Sequence, residues 1–217
     1  MERRDFLRKS ALAALGTAVG GTGLVQAFKH IDNGNKNTNR MKITVLTGSP
    51  RKSGNSACLA GQFIKGAEEK GHEVFRFDCA FKNVGPCRAC NRCGMDGPCI
   101  IDDDFSELRP HLVEADMVGF ATPMYYFGIS AQMKRVIDRF YAINGQIKGA
   151  PKKAAFMLTL ADTAKEEAEP MLLHYRTLMK YLGWTSVGEI VAPGVWTAGA
   201  VNDTDFPRQA YELGKSL

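Results

Sequence analysis

The chain has 217 residues, of which 45% are hydrophobic and 24% are charged, and its formal net charge is +5 at pH 7. These proportions are those of an ordinary globular protein with one large domain or two small ones, without low-complexity segments or internal repeats. The modest positive charge indicates neither a nucleic-acid-binding protein nor one that binds membrane surfaces.

The N-terminus has the pattern of an export signal. Arg3 and Arg4 begin a basic segment, and an uncharged Ala- and Gly-rich run over 11–27 follows and ends in small residues. This run is too short and too rich in glycine for a stable transmembrane helix. The Arg-Arg-x-Phe-Leu core resembles a twin-arginine (Tat) signal, which exports proteins that are already folded.

We therefore expect a signal peptide over 1–27, a flexible spacer over 28–40 and a folded domain over 41–217. The protein would then be periplasmic or otherwise exported. Two alternatives remain at this point: the N-terminus could be an amphipathic or frayed arm, or Met41 could be the true start of a shorter cytoplasmic protein.

Beyond the spacer, apolar runs rich in β-branched residues alternate with segments of helical periodicity. In chain order we predict a strand at 42–47, a helix at 56–70, a strand at 72–78, a helix capped within Asp102–Asp104 and ending near Glu114, a strand at 116–121, a helix at 129–141, a strand at 154–160, a helix at 164–182, a strand at 186–192 and a helix at 206–216.

This alternation predicts an α/β fold, a flavodoxin-like doubly wound parallel sheet of five strands in the order 2-1-3-4-5. A cysteine-rich insertion at 85–101 follows the second strand. Ligands of such sheets bind at the carboxyl ends of the strands, so the loops after strands one, three and four are expected to carry the site.

The loop after the first strand, Gly48–Ser56, predicts an anion site. It leads into a helix N-terminus, where unpaired N–H groups and the helix dipole favour negative charge. It lacks the lysine of a P-loop and the GxGxxG of a dinucleotide-binding loop. A phosphate monoester such as that of FMN suits it, although a merely polar turn has the same composition. The candidate donors are Ser49, Arg51, Ser53, Asn55 and Ser56.

The loop after the third strand, Thr122–Ser130, contains three consecutive aromatic residues, Tyr125, Tyr126 and Phe127. Aromatic runs more often belong to a core, but this run lies in a predicted loop, where burial is harder to achieve. A planar cofactor ring would give these side chains a stacking partner.

Four cysteines follow the pattern Cys87-x2-Cys90-x2-Cys93-x5-Cys99. Thiolates at this spacing can wrap one iron–sulfur cluster, and four of them match a [4Fe–4S] cluster. Zinc, disulfides and free thiols remain alternatives, although zinc ligands usually come as two separated pairs. We interpret the other two cysteines, Cys58 and Cys79, as small buried hydrophobic residues.

Three motifs occur in order: Gly-Ser-Pro-Arg-x-x-Gly-Asn-Ser at 48–56, Thr-Pro-Met-Tyr-Tyr-Phe-Gly-Ile-Ser at 122–130, and Gln132-Met133-Lys134 followed by Asp138-Arg139. Together they resemble the NADPH-dependent FMN reductase-like branch of the flavodoxin superfamily. The cysteine motif narrows the resemblance to the iron–sulfur flavoproteins. The resemblance covers the chain from Met41 onward.

The resemblance implies a set of cofactor contacts. The FMN phosphate would be held by Ser49, Arg51, Ser53, Gly54, Asn55 and Ser56. The isoalloxazine ring would be lined by Thr122, Pro123, Met124, Tyr125, Tyr126 and Phe127, with Thr159 and Asp162 on its other side. The cluster would be held by Cys87, Cys90, Cys93 and Cys99. Family members assemble as homodimers or homotetramers, with the cluster of one subunit close to the flavin of another.

The expected function is that of an exported FMN-containing iron–sulfur oxidoreductase. Its electron donor would be a protein or NAD(P)H, and its acceptor a small oxidant or a quinone. No catalytic acid or base is assigned. Two alternatives stay open: a cluster-free NAD(P)H-dependent FMN or quinone reductase, and a non-catalytic flavodoxin-like electron carrier.

Overall fold

The computed structural model describes residues 40–217. The predicted signal peptide over 1–27 and nearly all of the predicted spacer lie outside the described residues, so both stay predictions. Within residues 40–217, no helix is long and apolar enough to cross a membrane.

The strands are β1 (Lys42–Thr47), β2 (Glu73–Asp78), β3 (Met117–Tyr125), β4 (Gly128–Ile129), β5 (Lys153–Thr159) and β6 (Thr185–Ala192). The helices are α1 (Asn55–Glu69), α2 (Phe105–Glu114), α3 (Ala131–Asp138), α4 (Asn144–Ile147), α5 (Glu169–Leu182) and α6 (Phe206–Lys215). Short 3₁₀ turns lie at Arg139–Ile143, Lys165–Ala168 and Ala200–Asp203.

The sheet confirms the predicted topology. Five strands pair in parallel in the order β2-β1-β3-β5-β6, which is the expected 2-1-3-4-5 order once the short strand β4 is set aside. Each parallel strand after β1 follows a helical crossover. Residues of β1, β3 and β5 are almost entirely buried because helices cover both faces of the sheet.

One face of the sheet is covered by α1 and α6, which approach each other through glycines. A Cβ atom on Gly66 of α1 would lie 2.1 Å from the carbonyl oxygen of Tyr211 in α6, and one on Gly214 would lie 2.1 Å from that of Phe63. Two glycines therefore set the spacing of this helix pair. The other face carries a larger core, in which Phe120 and Phe156 of the sheet contact Tyr175 of α5.

The third strand is longer than predicted, and this changes the position of several expected loop residues. We predicted its end at Ala121, but β3 continues to Tyr125. Thr122 and Pro123 pair with β5, and the last two residues pair with β4. Pro123 is tolerated because β1 ends opposite Ala121. Beyond that point, the edge of β3 that faces β1 needs no further backbone N–H donor.

Two predicted helices also begin or end differently. The helix expected over 129–141 is α3, which ends at Asp138 and continues as a 3₁₀ turn to Ile143. The helix expected from Ala164 begins with a 3₁₀ turn, and α5 starts at Glu169 with Pro170 in its first turn, where proline is favoured.

Candidate functional site

A cavity of about 570 Å³ opens at the carboxyl ends of the parallel strands. Its size is that of a typical small-molecule or cofactor site. Its walls come from the three predicted loops and from one more: they comprise Ser49, Arg51, 54–56, 123–127, 159–162, Val195 and Trp196. The topology thus brings together residues more than 140 positions apart.

One end of this cavity is suited to an anion. The N-terminus of α1 has Gly54 as its N-cap, with no side-chain capping bond, and Cys58 donates the first backbone hydrogen bond of the helix, to Gly54 O at 3.0 Å. The N–H groups before Cys58 therefore have no intrahelical acceptor. Ser56 also lines the cavity, and its Oγ is buried without a partner.

The loop that precedes α1 is folded tightly around this end. Ser49 Oγ accepts a hydrogen bond from the Arg51 N–H at 3.1 Å. A Cβ atom on Gly54 would lie 2.8 Å from Ser49 Oγ, so the loop can close in this way only around a glycine. The free N–H groups, the unpartnered hydroxyl and the exposed Arg51 fit a phosphate monoester.

Asn55 lines the cavity, but its side chain has a different role from the predicted one. Its Nδ2 donates to the carbonyl oxygens of Val195 at 2.9 Å and Thr197 at 2.8 Å, and its Oδ1 accepts from Val201 N at 3.2 Å. The amide is thus fully engaged with the segment after β6. It supports the cavity wall and is not the free phosphate donor that the loop pattern predicted.

Two other predicted residues do not line the cavity. Ser53 is exposed in the turn before α1. Thr122 is fully buried, and its Oγ1 accepts from Ser130 N at 3.2 Å and donates to Pro123 O at 2.9 Å. Thr122 therefore fixes the segment that returns from β4 to α3, because its hydroxyl is consumed by backbone groups.

The aromatic residues lie on a strained two-residue hairpin. Tyr125 of β3 pairs with Gly128 of β4, so Tyr126 and Phe127 form the turn, with φ angles of +46° and +59°. Positive φ at both positions is the type I′ geometry, which normally selects Asn-Gly and is costly for aromatic residues. Tyr126 is completely exposed and Phe127 is half exposed. The turn therefore presents two rings at the mouth of the cavity, where a flat ligand could stack.

The loop after β5 forms another part of the cavity wall. Thr159 is buried and Asp162 is exposed, and both line the cavity together with the two residues between them. Asp162 Oδ1 accepts from Ala164 N at 2.8 Å, which fixes the turn that leads away from the sheet.

Val195 and Trp196 were missed by the sequence analysis. They follow β6, whose carboxyl end lies at the same edge as those of β1, β3 and β5, and Trp196 is 77% exposed. The same rule that selected the other loops would have included this one, because all parallel strands end at this edge.

A second, smaller cavity is lined by all four cysteines of the motif, Cys87, Cys90, Cys93 and Cys99. The chain curls around it with positive φ angles, at Ala89, Asn91, Gly94 and Met95. Cys87 Sγ accepts a hydrogen bond from Ala89 N at 3.4 Å. The four cysteines of the motif are thus gathered around one space.

The four thiols of the motif are not paired in disulfides and do not form a ready-made site for a single ion. All six cysteines have free thiols. In residues 40–217, no group of three or more Cys, His, Asp or Glu converges on the position of one metal ion. An iron–sulfur cluster is several atoms across, and its cysteine ligands bind different iron atoms around its outside. These ligands therefore do not have to converge on one point.

The base of the cysteine loop is held by a buried ion pair. Asp103 and Arg139 approach to 2.7 Å, and their side chains are 3% and 1% exposed. Burial alone would raise the pKa of Asp103, but hydrogen bonds from Arg139 and from the N–H groups of Gly85 and Phe105 outweigh it and lower that pKa. Asp103 Oδ1 also accepts from the N–H of Phe105, the first residue of α2, at 3.1 Å, in agreement with a helix cap within Asp102–Asp104. The sequence did not predict the burial of Asp103 against Arg139, because the two residues are distant in the chain.

The two remaining cysteines differ in environment. Cys79 is fully buried, and burial raises the pKa of its thiol to about 12, as expected of a small hydrophobic residue. Cys58 is only partly buried, and its Sγ donates to Asn202 Oδ1 at 3.1 Å, so the prediction for it was only half correct.

Comparison with known proteins identifies relatives with this architecture. An iron-sulfur flavoprotein from Archaeoglobus fulgidus is 33% identical over 179 residues, which cover 82% of this chain and 79% of the relative. An iron-sulfur flavoprotein from Methanocaldococcus jannaschii is 37% identical over 190 residues, covering 82% and 95%. Among solved structures, an NAD(P)H:quinone oxidoreductase from Methanothermobacter marburgensis superposes with a TM-score of 0.63 and 17% identity, covering 82% of this chain and 96% of that structure. This similarity concerns the fold alone.

The family model for NADPH-dependent FMN reductase matches residues 41–197. The match begins at the residue before β1 and ends just after Trp196, so it spans every loop that lines the larger cavity. The chain therefore belongs to the NADPH-dependent FMN reductase family of oxidoreductases.

Proposed function

We propose that this protein is an FMN-containing iron–sulfur oxidoreductase that transfers electrons between a nucleotide or protein donor and a small acceptor such as a quinone. The observation that carries the proposal is the presence of two cavities in one domain. One has an anion-binding end and aromatic residues at its mouth, and the other is lined by the four cysteines of the motif. The names of the two relatives described above support it.

The residues of the larger cavity would hold FMN. The free N–H groups at the start of α1, the Ser56 hydroxyl and Arg51 would bind the phosphate. The aromatic hairpin and Trp196 would flank the ring and limit its contact with water. When bound, the flavin supplies two-electron chemistry and the cluster one-electron chemistry, while the chain supplies position and electrostatics.

The assembly of the protein is part of the proposal. The side chains of Tyr126, Phe127 and Trp196 are highly exposed around the cavity mouth. Exposed aromatic residues that cluster in this way are enriched in protein interfaces. We propose a homodimer or homotetramer that covers them, and sedimentation velocity on the loaded protein tests it.

The donor follows from the proposed export. NAD(P)H is scarce outside the cytoplasm, so an exported form would take its electrons from a protein. Stopped-flow reduction with NADPH and with a ferredoxin-like or cytochrome donor tests this. Rapid stoichiometric reduction by NADPH, without a response to either protein donor, would contradict the protein-donor proposal and leave the oxidoreductase itself standing.

The central experiment is anaerobic purification followed by measurement of iron, sulfide and FMN per chain. We expect one FMN with iron and sulfide in equal amounts. Replacing Cys90, the exposed cysteine of the motif, by serine is expected to remove iron and leave FMN bound. FMN without iron in the wild-type protein would contradict the cluster and favour a simple flavin or quinone reductase.

A further inference from the structure

Arg139 is a buried arginine beside the cysteine cavity. It opens the 3₁₀ turn that follows α3, it is 1% exposed, and it lines the cavity together with Tyr141 and Ala142 of the same turn. A buried arginine is rare unless its charge is paired, and here Asp103 pairs it. Its position beside four thiols suggests a role beyond that ion pair.

The two terminal nitrogens of Arg139 close the base of the cysteine loop. Nη1 donates to Gly85 O at 3.0 Å and to Asp103 Oδ2 at 2.7 Å. Nη2 donates to Ile101 O at 3.4 Å and to Asp103 Oδ1 at 3.2 Å. Gly85 and Ile101 are the first and last residues of the loop, so one guanidinium fastens both ends of a segment that has no strand or helix of its own.

The fifth donor of the guanidinium has no acceptor. Arg139 Nε is buried and unpartnered, whereas the other four N–H groups are all used. A buried charged donor strongly favours an acceptor, and orphaned ones in native proteins call for an explanation. The cavity that Arg139 lines offers four sulfur atoms. The nearby amide of Asn91 already accepts from Tyr141 through its Oδ1.

We propose that Arg139 is a positioning residue for the iron–sulfur cluster, and that its Nε–H donates a hydrogen bond to a sulfur atom of the cluster or of its cysteine ligands. Hydrogen bonds to these sulfurs stabilise the more negative, reduced cluster and raise its reduction potential. Asp103 balances the charge of Arg139, so the effect comes from the directed N–H and not from net charge. This proposal rests on the proposed function.

Pulse EPR of the reduced, loaded protein tests the contact directly. We expect protein whose arginines carry ¹⁵N at Nε alone to show a ¹⁵N hyperfine coupling at the cluster that is absent from unlabelled protein. Arg88 also lines the cavity, and Arg92 lies between Cys90 and Cys93, so labelled Arg88→Lys and Arg92→Lys proteins are the controls, and both are expected to keep the coupling. Absence of the coupling in labelled wild type, or its loss in either control, would overturn the proposal.

A redox titration of Arg139→Lys tests the consequence. Lysine keeps the charge opposite Asp103 and removes the Nε–H, so the cluster potential is expected to become more negative while the flavin potential stays unchanged. The matched control is Arg109→Lys in α2. Arg109 Nε is likewise buried and unpartnered, but it lies outside the cavity, so its substitution is expected to leave the cluster potential unchanged. An unchanged potential in iron-loaded Arg139→Lys would overturn the proposal.

The outcomes separate this proposal from the one on which it rests. Wild-type protein that binds FMN and no iron contradicts the proposed function. Iron-loaded wild type without an arginine coupling contradicts only the role of Arg139. If Arg139→Lys does not retain iron, the labelled wild type and the two controls decide: a coupling in all three proteins supports the proposal, and its loss in Arg88→Lys or Arg92→Lys overturns it.

Discussion

At the scale of single residues, the polar groups around the two cavities either have no hydrogen-bond partner or have one that the sequence did not predict. Ser56 presents a buried hydroxyl without a partner, whereas Asn55 beside it has every side-chain group engaged. These two neighbours have similar polarity and opposite roles. The Ser56 hydroxyl is left free at the cavity, whereas the Asn55 side chain bonds to the segment after β6. The same distinction separates Asp103, which is buried against Arg139, from the exposed Asp102.

Ser56→Ala is expected to weaken FMN binding by at least about tenfold, because a hydrogen bond to a charged phosphate contributes about 1.5–3 kcal/mol. The free energy of unfolding of the FMN-free protein is not expected to fall, since the hydroxyl has no partner to lose. Fluorescence titration with FMN and urea unfolding measure the two effects.

Ser53→Ala is the matched control, because Ser53 is exposed and does not line the cavity. Its affinity for FMN is expected to equal that of the wild type. If Ser53→Ala and Ser56→Ala lost FMN affinity equally, the phosphate would not be bound specifically at Gly54 and Ser56.

Asp103→Asn is expected to lower the free energy of unfolding at neutral pH by about 3–5 kcal/mol, because it leaves Arg139 as an uncompensated buried charge. The pKa of Asp103 is lowered in the folded protein, so the stability linked to its ionisation is fully present above the ordinary carboxyl pKa of 3.8. That stability is lost as the pH falls through the lowered value.

Urea unfolding of wild type and Asp103→Asn at a series of pH values measures this linkage. The difference in free energy of unfolding is expected to be constant above pH 3.8 and to shrink below it. A difference that stays constant down to the lowest pH would mean that Asp103 does not titrate with a lowered pKa.

At the scale of elements, backbone conformation and helix spacing carry information that side-chain chemistry does not. The β3–β4 hairpin places two aromatic residues in the left-handed region, and α1 and α6 approach closely enough to exclude a single methyl group. Backbone strain such as that of the hairpin is typical of functional sites. The close contact between α1 and α6 concerns stability alone.

Replacing Tyr126-Phe127 by Asn-Gly is expected to stabilise the protein by about 1–3 kcal/mol, because these residues adopt a type I′ turn without steric cost. FMN affinity is expected to fall at the same time, since two candidate stacking rings are removed. Thermal unfolding of the apoprotein and FMN titration measure the two effects. A variant that is no more stable would show that the hairpin stores no strain.

Gly66→Ala and Gly61→Ala form a matched pair within α1. The new methyl group at Gly66 would lie 2.1 Å from a backbone oxygen of α6, whereas nothing lies within 4 Å of the one at Gly61. We expect Gly66→Ala to destabilise by about 1–3 kcal/mol or more, and Gly61→Ala to stabilise by about 0.5–1 kcal/mol, as alanine does inside helices. Urea unfolding measures both, and equal effects would contradict the close helix contact.

At the scale of the whole molecule, the parallel sheet converts distant segments into one site. The loops after β1, β3, β5 and β6 span more than 140 residues of the sequence, and they meet because parallel strands end at a common edge. The cysteine loop is positioned differently, by the contact of Arg139 with residues at both of its ends. The two cavities are thus held by sheet topology in one case and by a buried side chain in the other.

The sequence by itself determined the fold, the order of the strands, three of the four loops of the larger cavity and the grouping of the four cysteines. These features follow from local signals, namely apolar periodicity, turn residues and the spacing of a motif, and the rule that parallel strands share a carboxyl edge then places the loops together. Only the tertiary structure decided the rest. It extended β3 through Pro123, placed Thr122 outside the cavity, bonded the side chain of Asn55 to the segment after β6, added Trp196 and paired Asp103 with Arg139. These features depend on which atom reaches which partner across the fold, and such distances are not encoded in the pattern of any one segment.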